Sequence, residues 1–103
     1  MNKTELTPEL QAQVDADLAP IRTQIDAVDA QLLTLLNERA KLAQQVGEVK
    51  QKYDQPVYRP ERESAVLEKI AQRNPGPLPT PQLQTHWREV MSVCRAMEEP
   101  VKV

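Results

Sequence analysis

The chain has 103 residues, of which 40% are hydrophobic and 27% charged, and its formal net charge is -2. This balance fits one small folded domain and argues against a disordered chain and against a nucleic-acid surface. Two glycines and no phenylalanine favour helices over a β-sandwich. The single cysteine, Cys94, excludes a disulfide framework within the chain and predicts a reducing, cytoplasmic environment. We expect neither a signal peptide nor a membrane span, because no apolar run approaches about 20 residues.

The first predicted element is a very long helix with a proline near its start. Thr7-Pro8 is a helix start signal, a capping hydroxyl followed by proline. Pro20 is expected to interrupt this region, since proline inside a helix breaks or kinks it. We therefore predict a 1–19 extension with a short helix, and then a helix of roughly 33 residues from about Pro20 to Tyr53. Gly47 within it predicts close approach by a neighbouring backbone or a ligand.

Two shorter helices follow. The second is predicted from Pro60 to Arg73, and the third from Thr80 to about Glu98, ended by Pro100. A stiff, proline-rich loop over 74–79 separates them. The expected buried stripes are Val66, Leu67 and Ile70 in the second helix and Leu83, Trp87, Val90, Cys94 and Met97 in the third.

The long helix carries apolar residues at alternating steps of four and three, which is heptad spacing. The series is Ile21, Ile25, Val28, Leu32, Leu35, Leu42, Val46, Val49 and Tyr53. Its one missing member falls on Arg39. Because burying an unpaired charge costs several kcal/mol or more, we expect an anion to meet this guanidinium, either an acidic side chain or a bound ligand. A helix this long does not pack alone, so a partner chain is also expected.

A second cation lies on the same face as Arg39. Lys50 follows it by eleven residues, which returns to within about 20° of the same direction, about 16 Å along the axis. The two long side chains can therefore converge on one small anion. We expect polar groups from all three helices to line one cavity: Arg39, Lys50, Arg62, Glu63, Cys94 and Glu98.

Each of these residues also has a simpler interpretation. Arg39 could be a structural arginine that pairs with an acid or fixes coiled-coil register. Lys50 and Arg22 could be solvated surface residues, and Cys94 is read as a small core residue with no base beside it. His86 has no second histidine at ligand spacing, so the sequence predicts no metal site.

A set of residues spaced across all three helices forms a recognisable pattern. It comprises Ile21-Arg22, Ile25-Asp26, Asp29, Leu32-Leu33, Leu35-Leu36, Glu38-Arg39, Val46-Gly47, Lys50, Pro56-Val57, Arg62-Glu63 and the stretch from Trp87 to Glu98. This pattern resembles the all-helical chorismate mutase family, and the last stretch particularly resembles the mutase domain of bifunctional mutase–prephenate dehydratases. The resemblance implies a mutase domain over 20–99, with 100–103 beginning a linker to a fused dehydratase domain.

The resemblance also implies an assembly and an activity. The fold would be an intertwined helical homodimer with two sites, each completed by Arg22 of the other chain. The substrate would be chorismate and the product prephenate, a step of phenylalanine and tyrosine biosynthesis, with no cofactor or metal. Arg39 and Arg22 would hold the two carboxylates, and Lys50 would reach the ether oxygen.

The remaining roles follow from the same resemblance. Glu63, with the backbone near Arg59, would bind the ring hydroxyl, and Arg62 would support the site. Cys94 stands where a serine is common. Glu98 would be the second donor to the ether oxygen, a place often held by glutamine. Since an ionised carboxylate cannot donate, we expect Glu98 to be protonated in the complex and activity to fall as pH rises.

Two other functions stay open from the sequence. Isochorismate–pyruvate lyases resemble the same scaffold and would use the same cavity. A non-catalytic helical dimerisation or ligand-sensing module would need Arg39 only to fix register.

Overall fold

The computed structural model describes residues 6–99, which form three α-helices and, within that range, no strand. Helix α1 spans Pro8–Lys52, α2 spans Pro60–Arg73 and α3 spans Thr80–Glu98. The predicted all-α fold with one disproportionately long N-terminal helix is confirmed. The expectations for the linker at 100–103, and for Pro100 as a helix stop, lie outside the described residues. None of the helices, as far as they are described, is both long and apolar enough to cross a bilayer.

The predicted break at Pro20 is wrong, because α1 continues through this residue. A proline removes one helical N–H, here the one that would reach the carbonyl of Ala16. Both residues are exposed, so that carbonyl stays open to water. The start signal itself holds, since the Leu10 N–H donates to Thr7 Oγ1 at 3.1 Å. The short helix expected within 1–19 is therefore the first part of α1 and not a separate element.

The chain divides into two compact units, one ending at Leu35 and the other beginning at Leu36. In the first unit the described residues, 6–35, belong almost entirely to α1, and none of them is buried. The heptad residues of this unit are each between 51% and 59% exposed: Ile21, Ile25, Val28, Leu32 and Leu35. An apolar stripe that stays half in solvent contributes little to folding in this state.

In the second unit, α1 ends in a turn that reverses the chain. The N–H of Gln55 donates to the Lys50 carbonyl at 2.7 Å, and the N–H of Asp54 donates to the Gln51 carbonyl at 3.2 Å. Asp54 adopts φ 53°, the left-handed conformation that this capping arrangement requires. The connector that follows therefore returns beside the last turns of α1.

The rest of the second unit joins α2 to α3. The Arg59 carbonyl accepts the N–H groups of Arg62 and Glu63, both at 3.1 Å, and so begins α2 where the sequence predicts. Across the two helices, Gln84 Nε2 donates to the Leu67 carbonyl at 2.9 Å. The predicted stripe of α2 is half-buried. The buried apolar side chains among those described are Ala43, Met91 and Cys94, which are 5–8% exposed.

Candidate active site

One cavity of about 290 Å³ lies in the second unit, between the last turns of α1, the first turns of α2 and the second half of α3. Its size is at the lower end of small-molecule sites. Six of the expected site residues line it: Arg39, Lys50, Arg62, Glu63, Cys94 and Glu98. The apolar part of the wall consists of Leu42, Ala43, Val46, Val66 and Met91.

Lys50 and Glu98 form an ion pair inside this cavity. Lys50 Nζ lies 2.6 Å from Glu98 Oε1, and the two side chains are only 17% and 14% exposed. Lys50 Nζ also donates to the Val57 carbonyl at 2.7 Å. Because two fixed acceptors hold the ammonium, its position in the cavity is well defined. In this arrangement Glu98 Oε1 accepts the hydrogen bond and lies directly beside the ammonium.

Gly47 allows the end of α3 to reach this ion pair. A Cβ on Gly47 would lie 2.7 Å from the Cα and 2.8 Å from the carbonyl carbon of Glu98, closer than real side chains approach. The close approach predicted from the glycine is confirmed, and the neighbour is the Glu98 backbone. Because glycine has no Cβ, the Glu98 backbone can pack directly against α1 at Gly47, and the Glu98 side chain can then reach Lys50.

Two cations in the cavity wall have no carboxylate partner among residues 6–99. Arg39 is half-buried and Arg62 is exposed, and the guanidinium of neither takes part in an ion pair or hydrogen bond within that range. The lining contains three cationic and two acidic side chains, and both acids are already paired. The structural reading of Arg39, in which an acid of its own chain neutralises it, therefore finds no support in the described residues. The cavity carries unsatisfied positive charge, which suits a small anion.

Glu63 is fixed from outside the cavity by a residue that sequence reasoning missed. Arg95 Nη1 donates to Glu63 Oε2 at 2.9 Å, and the Arg95 guanidinium lies 4.7 Å from the centre of the Tyr58 ring. Nothing in the heptad spacing of α3 distinguishes Arg95 from a solvated arginine. The Val57 carbonyl that holds Lys50 was missed as well, because a backbone acceptor has no side-chain signature.

Two expected site residues do not line the cavity. Arg22 lies on the exposed part of α1 in the first unit. Arg59 directs its guanidinium to Gln55 Oε1, at 2.6 Å, and its carbonyl is occupied by the start of α2.

Cys94, which does line the cavity, is a free thiol, only 5% exposed, and no base pairs with it in the described chain. Its burial favours a packing role over a nucleophilic one.

The fold and the cavity together define a class: over residues 6–99, an all-helical protein with a cationic, partly apolar cavity. Residues 21–99 match the family model "Chorismate mutase type II", and the chain belongs to this family. A bifunctional chorismate mutase/prephenate dehydratase of Neisseria gonorrhoeae is 49% identical over 90 residues, which cover 87% of this chain and 24% of that protein. The chain spans about a quarter of the length of the first curated relatives it matches.

Solved structures agree in fold. A chorismate mutase of Thermus thermophilus superposes with a TM-score of 0.80 at 29% identity, over 84% of this chain and 99% of that one. A chorismate mutase of Helicobacter pylori, solved in complex with prephenate, gives a TM-score of 0.75 at 32% identity, over 82% and 91% of the two chains. The predicted family and fold are therefore confirmed.

Proposed function

We propose that this chain catalyses the rearrangement of chorismate to prephenate. The observation that carries the proposal is Arg39, a half-buried guanidinium in the cavity wall with no carboxylate partner among the described residues. Leaving such a charge unpaired is costly, and a dicarboxylate substrate would supply the missing partner. The prephenate complex of the Helicobacter pylori relative supports a ligand of this chemistry.

The reaction needs a protein that positions the substrate and stabilises charge, and it needs no nucleophile from the protein. One C–O bond breaks as one C–C bond forms within the same molecule, so the electrons move around a ring of six atoms and no group leaves. The protein must hold the flexible substrate in its reactive chair and stabilise negative charge that grows on the ether oxygen. In this proposal the Lys50 ammonium donates to that oxygen, held at its place by the Val57 carbonyl.

Glu98 is the second group at the ether oxygen. In the free protein it is paired with Lys50 at 2.6 Å, so substrate must enter beside this pair. An ionised carboxylate would oppose the growing charge, and Glu98 therefore takes up a proton when the dianion binds. Lys50 then transfers its hydrogen bond from a carboxylate to the ether oxygen.

The remaining groups bind the rest of the substrate. Arg39 and the partner subunit's Arg22 each hold one carboxylate in a bidentate contact. Glu63 accepts from the ring hydroxyl, with the backbone near Arg59 beside it. Arg62 adds positive charge at the cavity wall, and Cys94 packs against the ring.

The assembly is proposed to be a homodimer that shares its sites. Half-exposed heptad residues in both units support it, because a soluble helix does not keep such a stripe in water. A second copy would cover the stripe and gain about 25 cal/mol for each Å² of apolar surface removed from water. Exposed Arg22 would then meet the cavity of the other chain.

The primary test is loss of chorismate on adding purified protein, without metal or nucleotide. We expect turnover by the wild-type protein and its loss in Arg39→Ala with the dimer intact. Pyruvate release from isochorismate, with chorismate untouched, would instead identify a lyase. Dissociation of Arg39→Ala, in a protein that never consumed chorismate, would identify a scaffold.

Shared sites are tested by mixing inactive variants. Arg22→Ala and Arg39→Ala homodimers are dissociated, mixed in equal amounts and reassembled. If each site takes Arg22 from one chain and Arg39 from the other, a mixed dimer contains one intact site and one that lacks both arginines. Half of the dimers are mixed and half of their sites are intact, so about a quarter of wild-type activity returns.

The matched control mixes Arg39→Ala with Lys50→Ala. Both residues line the same chain's cavity, so every site in the mixed dimer lacks one of them and no activity returns. Recovery in this control, or none in the Arg22 mixture, contradicts the shared site.

Two further proposals concern the cellular setting. A fused dehydratase domain in a longer protein is supported by the bifunctional relatives, of which this chain covers about a quarter. A cytoplasmic location is supported by the single cysteine, which is free and buried.

A further inference from the structure

We propose that Arg95, which does not line the cavity, is a positioning residue that orients Glu63 for the substrate's ring hydroxyl. The inference rests on the proposed function. It begins from the way the Glu63 carboxylate is used: Oε2 accepts from Arg95 Nη1 at 2.9 Å, while Oε1 has no partner among residues 6–99. One oxygen is therefore fixed, and the other is available to accept from a ligand.

Both ends of this pair are partly shielded from solvent. The side chains of Arg95 and Glu63 are 31% and 28% exposed, so the contact is less screened than a fully exposed ion pair. Arg95 is itself restrained, since its guanidinium lies 4.7 Å from the centre of the Tyr58 ring. A cation held over an aromatic face has fewer alternative positions, and its carboxylate partner inherits that restriction.

The pair also protects the charge of the cavity. Glu63 lines the same space as Arg39 and Arg62, which have no carboxylate partners in the described chain. Without Arg95, the Glu63 carboxylate would be attracted to one of these cations and would neutralise it before substrate arrives. Arg95 therefore keeps the two arginines open to the substrate carboxylates while it presents Glu63 to the hydroxyl.

This role predicts an effect specific to the hydroxyl. The central variant is Arg95→Met, which keeps the apolar stem and removes the guanidinium. It is compared with wild type using two dicarboxylate inhibitors that mimic the reaction's chair geometry, one with the ring hydroxyl and one without. We expect the preference for the hydroxylated inhibitor to fall about tenfold, the scale of one charge-assisted hydrogen bond. Chorismate KM should rise by a similar factor, with a smaller change in kcat.

Further variants separate positioning from stability. Arg95→Lys keeps the charge and should restore part of the preference, and Tyr58→Leu should cause a smaller loss, about twofold to fivefold. Glu63→Gln alone should lower the preference, and adding Arg95→Met to it should lower it little further, because the two act through one contact. Arg88→Met is the matched control, an exposed α3 arginine seven residues earlier with no partner in the described chain, and it should change nothing.

The results distinguish three cases. An equal loss of affinity for both inhibitors in Arg95→Met shows that Arg95 only supports the fold, and overturns the inference. An unchanged preference together with an unchanged KM overturns it as well. A wild-type protein that neither consumes chorismate nor binds either inhibitor contradicts the proposed function, which is a different result. Should Arg95→Met not fold, Arg95→Lys and Tyr58→Leu give the same comparison.

Discussion

The two units of this chain differ in their polar contacts and in how much of them is buried. In the second unit, 36–99, ionic side chains pair across helices at 2.6 and 2.9 Å and a small core is buried. In the first, 6–35, side-chain hydrogen bonds such as that from Gln11 to Asp15, at 3.0 Å, run along the helix, and no described residue is buried. The difference shows that the cavity is built from residues of one chain, whereas the described part of the first unit has no buried core and leaves its apolar stripe half-exposed.

The largest expected effect comes from placing a charge in that stripe. Leu32→Asp puts a carboxylate in the middle of the apolar stripe, in place of a half-exposed leucine. If a second copy covers the stripe, each dimer must bury two such charges, and we expect loss of the dimer, of cooperative unfolding and of activity together. Sedimentation and thermal unfolding at several protein concentrations measure this.

Its matched control is Ala30→Asp, which places the same charge about 160° away on the same helix. This variant should remain dimeric and active, with at most a small loss of helix stability. If Leu32→Asp behaves like Ala30→Asp, the stripe is not an interface and the shared-site dimer fails.

The next largest effect is expected in the second unit, where a substitution in the cavity should remove activity and leave the fold intact. Arg39→Met keeps the stem and deletes a guanidinium that has no ion-pair partner among the described residues. We expect kcat/KM to fall about a thousandfold, while the melting temperature stays level or rises, since no ion pair or hydrogen bond among residues 6–99 is lost. Lys41→Met, an exposed position on the same helix, is the control and should be silent. A marked drop in melting temperature would show that Arg39 is structural.

The sequence predicts a feature of either unit well where local signals decide it, and poorly where exposure or contacts between elements decide it. The starts of α2 and α3 could be predicted, because Pro60 and Thr80-Pro81 are local signals and local physics decides them. Arg39 could be found because it interrupts a periodic pattern. The continuation through Pro20 could not be predicted, since the cost of a proline depends on whether its helix face is exposed.

Side-chain partners across helices were the least predictable part of the site. Arg95 and the Val57 carbonyl act through distances between elements, and nothing in the spacing along one helix encodes those distances. Gly47 is the exception, because a glycine inside a helix costs about 1 kcal/mol and so indicates that something needs the space. The sequence predicted the approach but not the identity of the approaching residue.

Gly47→Ala should produce a smaller effect than loss of Arg39. The new Cβ would meet the Glu98 backbone, at 2.7 Å from its Cα, so the end of α3 must move and the Lys50–Glu98 pair must lengthen. A shift of this size at a reacting group can cost about a hundredfold, and we expect kcat/KM to fall about tenfold to a hundredfold. Gln45→Ala, at an exposed position nearby, should leave it unchanged. If Gly47→Ala is fully active, the close approach of α3 does not set the position of Glu98.

The smallest effect on kcat/KM at neutral pH is expected for Glu98→Gln. The informative measurement on this variant is how its kcat/KM changes with pH. Glutamine offers an N–H donor at every pH, whereas Glu98 can donate only after taking up a proton. Wild-type kcat/KM should therefore decline as pH rises, and Glu98→Gln should hold its activity into the alkaline range and exceed the wild type there. Glu99→Gln, at the exposed cap of α3, serves as the control and should follow the wild-type curve. A wild-type profile that is flat, and that Glu98→Gln leaves flat, would mean that the carboxylate serves only to hold Lys50, and the ether oxygen would then depend on the ammonium alone.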